Sequence, residues 1–162
     1  MINLEVARKV LKIVDAGLVK GLGNPEPGKF CVEAAICYAL DLPHGDDPKC
    51  VSQALRHLKI RLNDSAWSSD QARAQGLRRL ALAQLGSKDL DDKEFARRVA
   101  RLAIQTCVPQ ALRAAASLCK GEKKDAMLNA ADLCERDPTE KNARAARSAA
   151  NAAYAAAAAA NA

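Results

Sequence analysis

The chain has 162 residues, enough for one domain with a real core, and its 49% hydrophobic and 27% charged residues exclude wholesale disorder. Only 3% of residues are aromatic and alanine is abundant, so the core is expected to come from Leu, Val, Ile and close approach of Ala-lined helices, not from a sheet. The net charge of +6 favours acidic partners, yet the basic residues run from Arg8 to Arg147 without interleaved aromatics, which argues against nucleic acid.

Residues 3–20 place Val6, Val10, Leu11, Val14 and Leu18 on one face at helical spacing, with Gly17 and Gly21 available to end a first helix. GLGNPEPGK, residues 21–29, holds three glycines and two prolines and reads as an ordered loop. A second helix is predicted from Phe30 to Leu40 with Val32, Ala35, Ile36 and Ala39 inward, followed by the loop LPHGDDP. Asp47 and Pro48 read as an N-cap and first helical residue, opening a third helix to Leu62 with Val51, Leu55, Leu58 and Leu62 buried.

Ser68 and Gln71 form a capping box for a fourth helix that stops at Gly86. Asp91 and Glu94 form another, flanked by Leu90 and Phe95 as a hydrophobic staple, and open a fifth. Pro109 predicts a kink or short break near Thr106 to Val108, with continuation to Gly121. A sixth helix spans Lys123 to Glu135, and Asp137, Pro138 and Glu140 repeat the cap, proline and box for a last, Ala-rich helix over 137–162 whose end is expected to fray.

Six cysteines would suit a secreted disulfide framework, but charges at Glu5, Arg8, Lys9 and Lys12 leave the start of the chain without the apolar region of a signal peptide. No stretch of about 18 strongly apolar residues marks a membrane span, and alanine is too weakly hydrophobic for the tail to serve as one. Free, mostly buried thiols in a reducing cytoplasm are the expectation.

Cys31 falls in the first turn of the predicted second helix, where free N–H groups lower a thiol pKa. Its base would be His57, reached if the second and third helices pack antiparallel, with Glu33 or Asp64 to orient the imidazole; His44 lies too far along the helix. The opposing reading makes Cys31 a core residue. Gly23 to Lys29 formally fits G-x-x-x-x-G-K, a phosphate loop, with Gly23, Gly28 and Lys29 as ligand-binding candidates. Phe30 stands where the magnesium-binding Ser or Thr belongs and two prolines remove amide donors, which favours a loop bracing two helices or at most an anion site. His44, Asp46 and Asp47 near Cys37 and Cys50 match no zinc module, so no metal is assigned, and no cofactor motif is found. Trp67, in a polar loop, is either a local packing anchor or a partner-binding residue.

The stretch GLGNPEPGKFCVEAAICYALDLPHGDDPKCV, with LKIRLNDSAWSSDQARAQGLRRLALAQLGS beyond it, resembles a family of helical proteins of unassigned activity found in bacteria and their phages, over about residues 15–87. The alanine-rich tail is similar in texture to helical immunity proteins of bacterial toxin systems. Neither resemblance implies a functional residue. The fold expected is an all-α, compact single-domain bundle of about seven helices over 1–162. The function expected is non-enzymatic binding of another protein in a bacterial or phage setting. Its rivals are a cysteine-dependent enzyme using Cys31 with His57 and a small-anion or nucleotide binder using the 21–29 loop.

Overall fold

The computed structural model describes residues 2–160. Among the described residues seven α-helices follow one another: α1 (Leu4–Asp15), α2 (Val32–Ala39), α3 (Gln53–Asp64), α4 (Asp70–Ala83), α5 (Asp92–Ala116), α6 (Glu122–Arg136) and α7 (Glu140–Ala160), with a single 3-10 turn at Ser87–Asp89. No strand forms among the described residues; the nearest thing to one is an isolated bridge between Gly23 and Phe30. The all-α expectation therefore holds. Asn161 and Ala162, on which part of the expected fraying falls, lie outside the described residues.

Where the sequence suggests one shared core, the chain packs as two compact units, one up to Phe95 and one from Ala96 on, each with its own buried apolar cluster. In the first, α2 packs against α1, α3 and α4. Its four expected inward residues, Val32, Ala35, Ile36 and Ala39, are all buried, joined by Val10 and Val14 of α1 and by Ala74, Leu77 and Ala81 of α4. Burying a Val or Leu contributes about 1.5–3 kcal/mol, whereas the alanines contribute mainly by letting backbones approach. In the second unit, Leu112, Ala116, Met127, Ala131, Cys134 and Ala146 form the cluster, and α6 packs along α7.

Several helix ends differ from the expectation, each for a local reason. α1 stops at Asp15 because Gly17 takes a φ of +116°, and Leu18 is buried from the loop instead of from the helix. α3 begins at Gln53, capped by Ser52, whose Oγ accepts from the Leu55 N–H at 3.3 Å; Asp47 is not its cap. Residues 48–51 form a turn first, with the Val51 N–H donating to the Pro48 carbonyl at 3.0 Å. α4 is capped by Ser69, one residue beyond the predicted Ser68, and Gln71 reaches the Asp15 carbonyl at 3.5 Å in place of closing a box. Asp91 does cap α5, accepting from the Lys93 and Glu94 N–H groups at 3.0 Å. α5 runs unbroken through Pro109, which is buried. Thr139, not Asp137, accepts from the first turn of α7, through the Asn142 N–H at 3.3 Å.

Candidate functional site

The 21–29 loop is closed on itself. The Asn24 N–H donates to the Lys29 carbonyl at 2.8 Å, the Lys29 N–H to the Glu26 carbonyl at 2.9 Å, and the Cys31 N–H to the Leu22 carbonyl at 3.2 Å. These are the amides a phosphate cradle would have to offer. Lys29 pairs with Glu26 at 2.6 Å. Gly23 takes a positive φ, and a Cβ there would overlap the Lys29 carbonyl, so its glycine is demanded by a close backbone approach. These bonds and the Val19 N–H donating to the Phe30 carbonyl at 2.9 Å hold the loop in one shape between α1 and α2.

Cys31 is the N-cap of α2, not a residue of its first turn, and its Sγ accepts from the Ala34 N–H at 3.3 Å. It is buried, and burial pushes the thiol pKa up, against the downward pull of that hydrogen bond. His57 is exposed on α3, whereas Lys59, two residues on, lies on the buried face of the same helix. Lys59 Nζ meets Glu33 Oε1 at 3.3 Å, both side chains 0% exposed. Beyond this ion pair neither charged group has a hydrogen-bond partner among the described residues. Burial holds the Lys59 ammonium down at about 8 and pushes the Glu33 carboxyl up. A proton can be shared between these two groups, but a protonated thiol with an outward-facing imidazole is not an activated nucleophile.

A cavity of about 60 Å³ touches Cys31, Glu33, Asn63 and Asp64, room for a very few waters and no substrate. Asn63 closes it: its Oδ1 accepts from the Val32 N–H at 3.2 Å and its Nδ2 donates to the Val19 carbonyl at 2.9 Å. Arg73 continues the brace to the Asn63 and Leu18 carbonyls, both at 2.8 Å.

The HGDDP loop, expected at the far end of α2 from the 21–29 loop, folds back beside it. His44 Nε2 lies 3.1 Å from the Gly23 carbonyl, and Asp46 lines the same small cavity. Asp46 accepts from Arg56 at 2.6 Å, and Asp47 is held by Lys49 and Gln53, so both carboxylates tie the loop to α3. No group of His, Cys, Asp and Glu among the described residues is arranged to hold a metal ion. Trp67 is half-buried; its indole N–H donates to the Leu62 carbonyl at 2.8 Å and its ring lies against Gly76.

The second unit presents a different kind of surface. Val108, Ala111, Leu112 and Ala115 of α5 and Ala143, Ala146, Arg147 and Ala150 of α7 line an open, almost wholly apolar groove of about 360 Å³. Both quartets have the i, i+3, i+4, i+7 spacing of a single helix face. Charge is unevenly divided: 11 basic against 6 acidic residues from Ala96 on, 14 against 13 before it. Sequence inspection missed this partition because basic residues are evenly spaced along the chain; only the acidic ones thin out. Large apolar side chains stay exposed there too, Leu118 by 89% and Tyr154 by 78%. Comparison with protein-family models, with curated proteins and with solved structures found no match.

Proposed function

We propose that this chain is a non-enzymatic helical interaction protein of bacteria or their phages, acting in the cytoplasm, and that its second unit takes an acidic amphipathic helix of a partner protein. The observation that carries the reading is the α5–α7 groove, with its small and aliphatic lining and Arg147 at its edge. Alanines let a third helix approach closely, Val108 and Leu112 offer aliphatic contact, and the basic excess of the unit suits acidic residues along the flank of the incoming helix. The buried, protonated Cys31 and the outward His57 weigh against the cysteine enzyme. The self-satisfied 21–29 loop weighs against the anion site placed there. The bacterial or phage setting rests on the resemblance over residues 15–87, and the cytoplasmic one on six free thiols.

The test begins with affinity capture by the full chain and continues with a synthetic peptide covering the acidic helix of whatever is captured. The peptide should bind the wild type and bind Ala111→Glu and Arg147→Glu at least tenfold more weakly. Binding indifferent to both substitutions would overturn the proposal. So would sedimentation showing that the groove closes against a second copy, or capture of nucleic acid in place of protein.

A further inference from the structure

The first unit carries a second cleft, of about 410 Å³, between α1 and α2 and away from the Cys31 cavity. Its volume lies in the range, about 300–1,000 Å³, that holds small molecules. Ile13 and Pro27 give it an aliphatic wall and Tyr38 an aromatic one. Tyr38, one of five aromatic residues in the chain, is 54% exposed, and its ring centroid stands 5.0 Å from that of buried Phe30. Two of the five therefore converge on this one cleft. Aromatic surface left open beside a buried ring is a platform on which a planar group can stack.

Two ammonium groups, of Lys9 and Lys12, border the same cleft. Lys9 is engaged by Asp41 at 3.6 Å. Asp41 sits just past the end of α2 with a φ of +56°, in a turn where the Leu42 N–H reaches back to the Cys37 carbonyl at 2.9 Å. Glycine is the residue that costs least at such a position, and the aspartate there supplies a carboxylate that fixes Lys9. Among the described residues Lys12 has no ion pair. The cleft thus combines aromatic and aliphatic lining with one lysine that has no ion pair among the described residues.

We infer that this cleft binds a small planar aromatic anion, its ring between Tyr38 and the Ile13 and Pro27 wall and its anionic group on Lys12. An aromatic carboxylate and a nucleoside monophosphate share that chemistry. Titration of the isotope-labelled full chain with benzoate, with AMP and with inorganic phosphate, followed by amide chemical shifts, separates the two sources. Benzoate or AMP should saturate and move the amides of Lys12, Ile13 and Tyr38, and whichever binds more tightly names the source. Inorganic phosphate alone should not saturate. Tyr38→Ala should weaken the bound probe at least tenfold. Lys12→Glu, at an exposed position of α1, should weaken it at least threefold. Failure of both aromatic probes to saturate would overturn the inference. Phosphate binding at the same amides as tightly as AMP, or binding that survives both substitutions, would overturn it equally.

Discussion

Lys59 Nζ stands 3.3 Å from Glu33 Oε1 with both side chains wholly excluded from solvent, linking α3 to α2 through charge. Removing one partner of such a pair leaves the other buried and uncompensated, which typically costs about 3–5 kcal/mol. Lys59→Met should therefore destabilise the first unit strongly, and Glu33→Leu added to it should restore most of the loss. Chemical denaturation of the wild type, both single variants and the double variant checks the coupling. Additive losses would show that packing, and not charge, makes the link.

The same pair gives stability a particular dependence on pH. Lys59 is held at about 8, below its ordinary 10.5, so between these values the unfolded chain binds its proton more tightly and stability rises with pH. The slope is on the order of 1 kcal/mol per pH unit. Glu33 is displaced upward from 4.5, so its contribution is full below that value and is lost as pH rises through its folded pKa. The stability difference between the wild type and the Glu33→Leu, Lys59→Met variant should fall on leaving acid and climb again above about pH 8. A flat difference across that range would contradict both displacements.

Thiol reactivity should follow burial. Cys107 is exposed, while Cys31 and Cys37 are buried, and desolvation pushes Cys37 up to about 11. Iodoacetamide at neutral pH should label Cys107 well before Cys31, as read by peptide mass spectrometry. Early labelling of Cys31 would restore the case for a nucleophile.

The start of α3 offers a direct comparison of two candidate caps. Ser52→Ala removes an acceptor that is buried and used, and should cost about 0.5–2 kcal/mol. Asp47→Ala, at the position the sequence favours, should cost less, because it loses partly exposed contacts with Lys49 and Gln53 and a long ion pair to Arg56 at 3.8 Å. Thermal melts of the two variants decide between them.

Helix number and order were legible because periodicity and capping chemistry are local. The failures lie where a distant residue decides. On α3, apolar spacing points to Leu55, Leu58 and Leu62, yet the most buried ridge is Leu55, Lys59 and Asn63. A lysine and an asparagine read as solvent-facing until Glu33, the Val32 N–H and the Val19 carbonyl are known to meet them. The same rotation turns His57 outward and separates it from Cys31. Asp47 followed by proline is a sound local signal for a cap, overridden because Arg56 and Gln53 draw the loop's carboxylates toward the side of α3.

Trp67 is the chain's sole tryptophan, and its ring rests on Gly76 at a spot where even a methyl group would overlap it. Its emission therefore reports on the packing of the 62–76 region within the first unit. Circular dichroism, by contrast, reads both units, since α1 to α4 lie in the first and α6, α7 and most of α5 in the second. A melt followed by fluorescence and by ellipticity together becomes a two-channel recording, in which separated midpoints would resolve the two units as independent cooperative blocks and coincident ones would mark a single transition.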